Sequence, residues 1–250
     1  MNVFGSVLVG FVIFILANSF FAFVDVTGRP HWIRKYKIQP DKNVPVSWVA
    51  YKAAIQLALL NLLVVSTFLQ LCLYPVICWR GSPCGVELPS FTTLLWHLLI
   101  YLLVVEIGFY YSHRLMHHPH LYKRIHKTHH KWIAPVGITS VYAHPIEHIV
   151  VNLGPIVAGP LLLGSHLSVA WLWYALTITS TTINHSGYHL PFLPSPEAHD
   201  FHHSNFNQNY GVIGVMDWLH GTDVHFRNHK AFQRDRVLLG LTPANSLFPD

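Results

Sequence analysis

Residues 113–130 of this chain read HRLMHHPHLYKRIHKTHH, and residues 199–203 repeat the end of that stretch as HDFHH. Both copies follow the pattern H-x-x-H-H, and each is accompanied by a histidine pair with i,i+4 spacing. A helix brings residues three and four positions apart onto one face. We therefore expect each group to direct its imidazoles into one space, and we expect the fold to bring the two copies together.

Ten histidines carry these helical spacings and are predicted to bind metal. They are His113, His117, His126, His129, His130, His185, His189, His199, His202 and His203. Shared between two ions, these imidazoles correspond to about five ligands for each. Neutral imidazole binds iron, zinc, copper and nickel, so the ligand type alone leaves the identity of the metal open.

Other residues near these histidines are expected to support the metal site or to line a pocket. They are His144, Glu147, His148, Asp200, Tyr110 and Tyr142. Pro145 disfavours a regular helix that starts before it, so a pocket role and a structural role both stay open for the two histidines of this set. The remaining histidines lack the pattern and are expected to lie outside the metal site: His31, His97, His118, His120, His166, His220, His225 and His229.

The composition predicts a membrane protein. Hydrophobic residues make up 52% of the 250 residues and charged residues only 11%, with a mean hydropathy of +0.35. A soluble domain of this size keeps roughly a quarter of its residues charged. The net charge is +5, but Lys and Arg flank the apolar stretches and form no single basic face, so we expect no nucleic-acid partner.

Four apolar blocks organise the chain, at residues 1–24, 53–79, 88–105 and 149–183. We interpret the first block as a membrane anchor, with a signal peptide as the alternative. The last block would extend to about 50 Å as one helix, which exceeds the roughly 30 Å core of a bilayer. We therefore predict a hairpin that turns near residues 164–166. The predicted fold class is an all-α integral membrane protein with about four transmembrane helices or helical hairpins and a cytosolic, histidine-rich cap.

The distribution of basic residues predicts the orientation. Lys and Arg are frequent in residues 25–52 and 106–148, whereas residues 80–87 hold only Arg80. Cytosolic loops carry the excess of Lys and Arg, so the first two segments are expected in the cytosol and the third in the lumen. With a hairpin in the fourth block, both H-x-x-H-H copies lie on the same face of the membrane.

Three kinds of function are compatible with a histidine-rich site at a membrane face. A zinc hydrolase would use a carboxylate as its general base, for which Glu147, Glu197 and Asp200 are candidates. A pair of irons beside an apolar pocket would instead activate O2 for lipid oxidation. A non-enzymatic interaction protein, a structural zinc site or a metal transporter is the third possibility.

Several stretches resemble one known family. They are KYKIQP (35–40), YYSHRLMHHP, IHKTHHKW, AHPIEH, NHSGYHLPFLPSPEAHDFHH and NYGVIGVMDWLHGTD. In this order they resemble the fatty acid hydroxylase / sterol desaturase superfamily of membrane diiron oxygenases, and within it the sterol C4-methyl oxidase branch. The similarity is dense from Tyr110 to Asp223. It divides the chain into transmembrane helices with a cytosolic connection at 1–105 and a hydroxylase-like catalytic domain at 106–250, with the membrane hairpin inside it.

The resemblance implies a function and a set of cofactors. All ten patterned histidines would be ligands of two irons, with zinc as a substitute on heterologous expression. The reaction would be O2-dependent hydroxylation of a sterol-like lipid at the endoplasmic reticulum membrane, with the active site facing the cytosol. A fatty-acyl, sphingolipid or alkylglycerol substrate is the alternative. Electrons would come from NAD(P)H through cytochrome b5 or a similar carrier. Basic residues near the second box would either help to dock that carrier or act only as positive-inside charges: Lys123, Arg124, Lys127 and Lys131.

Overall fold

The computed structural model describes residues 2–249, and this part of the chain is helical without a named strand. The longer helices are α1 (Asn2–Thr27), α2 (Trp48–Leu59), α3 (Ser66–Trp79), α4 (Phe91–Met116), α7 (Gly154–Leu163), α8 (Leu167–His185) and α9 (Glu197–Asn205). The short helices are α5 (Pro119–Arg124), α6 (Pro145–Glu147), α10 (Val215–His220), α11 (Val224–Arg227), α12 (Lys230–Arg234) and α13 (Ala244–Leu247). Met1 of the first apolar block and the carboxyl-terminal Asp250 lie outside the described residues.

Four helical segments are long and apolar enough to cross a membrane: Val3–Thr27, Trp48–Trp79, Phe91–Met116 and Pro145–Leu163. The second joins α2 and α3 through a π-helical turn, and the fourth joins α6 and α7 in the same way. The predicted class, an all-α membrane protein with about four spans and a histidine-rich region, is confirmed.

The third span is longer than its apolar block. The sequence block ends at Val105 because Glu106 follows, yet α4 continues to Met116. Glu106 is buried, and its carboxylate accepts hydrogen bonds from the backbone amides of Val212, Ile213 and Met216 at 2.8–2.9 Å. A charged group inside an apolar helix is stable when such donors satisfy it, so the helix passes through this position.

Helices α7 and α8 lie within the block that was predicted to form a membrane hairpin, and that hairpin stays a prediction: α7 belongs to the fourth apolar span, and α8 belongs to none of the four. Helix α7 ends before Gly164, whose φ of +56° lies in the left-handed region that glycine adopts at no steric cost. Arg80 donates to the carbonyls of Leu161 and Leu162 at 3.0 and 2.7 Å and so fixes the end of α7. The fourth span starts at Pro145 and not at residue 149, because Pro145 occupies the first helical position, where its missing N–H costs no hydrogen bond.

Packing of the long helices places the histidines at one end of the bundle. Helix α1 packs against α8, and α4 packs against α7. The segment between α1 and α2 crosses the base of the histidine region: Lys37 and Tyr188 form an isolated antiparallel bridge, with Ile38 N–H donating to Gly187 O at 3.0 Å. The histidine-bearing turns are therefore held by the ends of α4 and α8 and by this connection.

Candidate metal centre

Four local elements carry nine of the ten patterned histidines. His113 lies in the last turn of α4, and His117 caps that helix. The second box forms a 3-10 helix at His126–Lys131, and His185 is the last residue of α8. The final box lies on α9. Each of these imidazoles thus lies near the end of a helix or on a short helix, where the local backbone direction determines the orientation of the ring.

The structure brings nine of the ten patterned histidines into two adjacent groups. The first histidine group contains His113, His117, His126, His130 and His202. The second histidine group contains His129, His185, His199 and His203. Within each group one ring nitrogen per residue lies within 4.8 Å of the others. None of the eight histidines without the pattern belongs to either group.

Each H-x-x-H-H copy is divided between the groups. In the second box the i,i+4 pair His126 and His130 enters the first group, and the residue between them in register, His129, enters the second. In the last box the arrangement is reversed, because the i,i+4 pair belongs to the second group and His202 belongs to the first. The two copies therefore tie the groups together, so that neither group is built from one motif alone.

The Nε2 atoms within each group face one another at short distances. His126 Nε2 lies 3.2 Å from that of His113, 2.9 Å from that of His117 and 3.0 Å from that of His130. In the second group the distances are 3.3 Å for His185–His129, 2.9 Å for His199–His185 and 3.1 Å for His203–His199. Two nitrogens bound at right angles to one ion at about 2.1 Å are about 3.0 Å apart, which matches this spacing.

The opposite ring nitrogens are fixed by acceptors. Five Nδ1 atoms donate to backbone carbonyl oxygens at 2.6–3.1 Å: His113 to Tyr210, His129 to Tyr142, His185 to Thr181, His202 to Gln208 and His203 to Trp132. A carbonyl oxygen only accepts, so these Nδ1 atoms carry the proton and the Nε2 atoms carry lone pairs. Lone pairs converging at such distances repel each other unless a cation lies between them. The donor set therefore fits two metal ions.

Burial keeps these imidazoles in the neutral form that binds metal. Desolvation, together with the neighbouring histidines, lowers the pKa of His117 to about 2, and desolvation lowers the pKa of His129 to about 4. Desolvation is also the largest cause for five further histidines, whose pKa values lie well below the usual value: His126, His130, His199, His202 and His203. At neutral pH these side chains therefore need no deprotonation before they bind a metal.

The structure leaves His189, the tenth histidine of the expected set, outside both groups. An i,i+4 spacing brings two residues together only on a continuous helix, whereas α8 ends at His185 and Gly187 follows with a φ of +71°. His189 Nδ1 lies 3.3 Å from Glu197 Oε1, and its Nε2 donates to Arg236 O at 2.9 Å. Neither nitrogen is directed at a histidine group.

Comparison with known proteins places the chain in a family. Residues 98–222, which hold both histidine groups, match the fatty acid hydroxylase family model. The chain belongs to the fatty acid hydroxylase family. Fatty acid hydroxylase domain-containing protein 2 of Homo sapiens is 50% identical over 98% of this chain and 74% of its own length. Members of this superfamily are oxidoreductases, so the chain is an oxygenase of the fatty acid hydroxylase superfamily.

Two other relatives are named as a fatty acid hydroxylase and as a methylsterol monooxygenase. Fatty acid hydroxylase ahd1 of Mycosarcoma maydis is 41% identical over 85% of this chain and 55% of its own length. Methylsterol monooxygenase 2-2 of Arabidopsis thaliana is 36% identical over 92% of this chain and 89% of its own length. No solved structure matches the chain.

Among the residues expected around the site, Glu147 and Tyr142 contact members of the two histidine groups. Glu147 Oε1 lies 2.7 Å from His126 Nδ1, and both side chains are buried. The carbonyl of Tyr142 accepts from His129 Nδ1 at 3.1 Å. A carboxylate or carbonyl on the outer nitrogen fixes the orientation of a ligating imidazole and raises its basicity.

Asp200 lies one residue from His199 and is held by Gln39. Gln39 Nε2 donates to Asp200 Oδ2 at 2.9 Å and to Ile133 O at 3.1 Å. Burial raises the pKa of the Asp200 carboxyl to about 7. Gln39 therefore joins α9 to the loop that follows the second histidine box.

The three other expected residues have structural contacts. His144 caps α6, with its Nδ1 accepting from Ile146 N–H at 3.2 Å. His148 is buried and lies 3.3 Å from both Ser66 Oγ and Asn152 Nδ2. Tyr110 Oη accepts from Arg114 Nη1 at 2.9 Å. None of the three belongs to a histidine group among the described residues.

The sequence prediction missed two carboxylates that shape the loop before α10. Asp217 accepts from the amides of Tyr210 and Gly211 at 2.8 and 2.6 Å, while Glu106 holds the next turn of the loop. The carbonyl of Tyr210 in turn accepts from His113 Nδ1. A lone glutamate in an apolar span is the one signal that pointed to this arrangement.

An open cleft reaches the first histidine group. It has a volume of about 490 Å³ and is lined by Tyr111, Arg114, Leu115, His117, His118 and Tyr210. Ligand sites commonly have volumes of about 300–1,000 Å³. His117 is the least enclosed histidine of its group, and it is the residue through which the cleft meets the site.

Proposed function

We propose that this protein is a diiron oxygenase that hydroxylates a methyl group of a sterol-like lipid at the endoplasmic reticulum membrane, with its active site facing the cytosol. The observation that carries the proposal is the pair of histidine groups whose Nε2 lone pairs converge at the ends of apolar helices. Two irons bound there would supply the activation of O2, with electrons delivered from NAD(P)H through the carrier.

The protein contributes orientation, a dry environment and lipid access. The first and second histidine groups would hold one ion each, and Glu147 and the backbone carbonyls keep the imidazoles aimed inward. Apolar helices exclude water from the reacting end of the substrate. The cleft at His117 gives a lipid a route to the first group.

The exposed basic residues of α5 and the 3-10 helix support docking of an acidic electron carrier. Lys123, Arg124, Lys127 and Lys131 are exposed, whereas His126, His129 and His130 of the same segment are buried. A cytochrome b5-type protein that receives electrons from NAD(P)H would meet the positive charges on one side and the metal ligands directly beneath. The same charges support a cytosolic orientation.

The substrate class is supported by the sterol-branch motifs and by the similarity to methylsterol monooxygenase 2-2. A fatty-acyl substrate is the second candidate, because identity is higher to fatty acid hydroxylase ahd1. An enzyme for either substrate would use the same metal ligands, and the two enzymes would differ only in the substrate pocket. Incubation of the reduced enzyme with 4-methyl sterols and with fatty-acyl, sphingolipid and alkylglycerol lipids, followed by mass detection of hydroxylated products, separates them.

Metal analysis of the full chain tests the site itself. Protein purified in mild detergent is compared with His202→Ala, which removes a ligand of the first group, and with His129→Ala, which removes one of the second. We expect two irons per chain, a reduced content in each variant and a further reduction in the double variant. Exposed His120, outside both groups, is the control. Well-folded protein that binds no metal contradicts the proposal, and zinc bound in place of iron is resolved by reconstitution with Fe²⁺.

A further inference from the structure

A short helix beside the end of α4 exposes an apolar surface. Five apolar side chains of α10 and the loop before it are exposed: Val212, Ile213, Val215, Trp218 and Leu219. Trp218 and Leu219 are 64% and 62% exposed. We call these five residues the α10 surface. Contiguous apolar exposure of this kind marks a contact surface.

The α10 surface is fixed to a transmembrane helix. Glu106 of α4 accepts hydrogen bonds from three amides at the start of this region. Tyr111 Oη lies 3.1 Å from His220 Nε2, and the Tyr110 ring stacks on the His220 ring with centroids 5.1 Å apart. The position of the surface relative to a bilayer is therefore set by α4.

The length of α4 places these contacts at the edge of the hydrocarbon core. Its 26 residues extend for about 39 Å, whereas the core is about 30 Å thick. Measured from Phe91, Glu106 is about 22 Å and Tyr111 about 30 Å along the axis. Helix α10 therefore packs where the span leaves the core.

The same side of α4 continues the apolar surface. Ile107, Tyr111 and Leu115 are exposed on α4. The exposed side of α4 meets α10 at the contact between Tyr111 and His220. Tryptophan is the residue favoured where acyl chains meet headgroups, and Trp218 is the most exposed residue of the α10 surface.

We infer that the α10 surface is embedded in the membrane interface, and that the adjacent cleft is a side entrance through which a lipid passes from the bilayer to His117. Tyr111 and Leu115 form the apolar wall of that entrance, and Arg114 and His118 stand at its polar rim. Arg114 is exposed and long enough to keep its charge among headgroups while its stem lies along apolar surface. The entrance role rests on the proposed function, whereas the membrane contact does not.

The membrane contact is tested with spin labels on the full chain in phospholipid nanodiscs. The three exposed cysteines, Cys72, Cys78 and Cys84, are first replaced by serine. One label is then placed by Trp218→Cys and a control label by Lys230→Cys, an exposed polar position on α12. Oxygen concentrates in the bilayer and a nickel chelate in water, so we expect the label at 218 to collide more with oxygen and the label at 230 more with nickel. Equal, water-like behaviour at both positions overturns the inference.

The entrance is tested with a photoreactive long-chain lipid probe in the same nanodiscs. We expect crosslinks to the peptide that contains Tyr111 and Leu115, and loss of those crosslinks in Leu115→Trp, which fills the cleft. Leu239→Trp, at an exposed position away from the cleft, is the control. Crosslinking that is unchanged in Leu115→Trp rejects the entrance. Both measurements are independent of turnover, so absence of product in the lipid assays would reject the proposed function and leave the membrane contact standing.

Discussion

His126 Nδ1 lies 2.7 Å from Glu147 Oε1, and His126 Nε2 is within 3.2 Å of the Nε2 atoms of three other histidines. His126 is therefore the centre of the first histidine group, and a carboxylate from the fourth span sets its orientation. This pair joins the second histidine box to the membrane helices. The support for one ligand thus depends on a residue 21 positions away in the chain.

Replacement of Glu147 by alanine is expected to weaken metal binding at the first histidine group. His126 loses the acceptor that holds its proton on Nδ1, and loss of such a partner costs about 10–100-fold in metal affinity. Glu147→Gln keeps a carbonyl oxygen at the same place and should retain most of the affinity. Competition with a calibrated chelator measures the effect. Equal affinities for the wild type and Glu147→Ala would contradict this role.

Replacement of His189 by alanine is expected to leave the metal content unchanged and to reduce stability. His189 contacts Glu197 and the Arg236 carbonyl and lies outside both groups. Loss of buried hydrogen bonds to these acceptors costs about 1–3 kcal/mol. His185→Ala, four residues earlier, removes a second-group ligand and is the matched comparison. If the two variants lose metal equally, His189 is a ligand after all.

Glu106→Ala is expected to destabilise the protein strongly. Three backbone amides of the loop before α10 lose a buried carboxylate acceptor, which we expect to cost about 2–4 kcal/mol. For a chain of this size the melting temperature should fall by roughly 5–15 °C. Exposed Glu87 provides the control substitution, which should leave the melting temperature in detergent within about 1 °C. A Glu106→Ala variant that melts with the wild type would contradict the structural role of these bonds.

Spacing in the sequence predicted which histidines meet, but not how they divide. His199 and His203 belong to one group because i,i+4 neighbours on α9 face the same way. His126 and His130 also belong to one group, but the second box is a 3-10 helix, so their pairing does not follow from α-helical spacing. The assignment of His129 to the other group depends on where α8 and α9 lie in space. His189 lies outside both groups because α8 ends at His185, shortly before a glycine with positive φ, and the histidine spacing does not show that end.

The supporting contacts were the least predictable part of the site. Five imidazoles are held by backbone carbonyls, and every residue type has a carbonyl, so the sequence carries no mark of them. Glu147 was predicted near the site as a candidate general base and as a residue that supports the metal site or lines a pocket. The four spans were predictable because hydropathy and bilayer thickness fix both their composition and their length.

The metal-free protein is expected to lose stability as the pH falls below about 6.5, the ordinary pKa of histidine in an unfolded chain. In the folded protein burial lowers the pKa of His129 to about 4 and that of His117 to about 2. Above pH 6.5 both states are neutral and the histidines contribute nothing to the pH dependence. Below pH 6.5 these histidines bind protons in the unfolded chain but stay neutral in the folded chain. Each of them therefore lowers the free energy of unfolding by up to about 1.4 kcal/mol per pH unit, until the pH reaches its folded pKa.

Metal should reduce this acid sensitivity, because an ion held by the Nε2 atoms competes with protons for the same lone pairs. Thermal unfolding between pH 7.5 and pH 5, measured with chelator and with excess Fe²⁺ under anaerobic conditions, checks both expectations. We expect the melting temperature of the metal-free protein to fall over this range and that of the loaded protein to fall less. The His129→Ala variant has one fewer buried imidazole, so its metal-free form should show a shallower slope. A slope equal to that of the wild type would mean that His129 is already accessible to protons in the folded state.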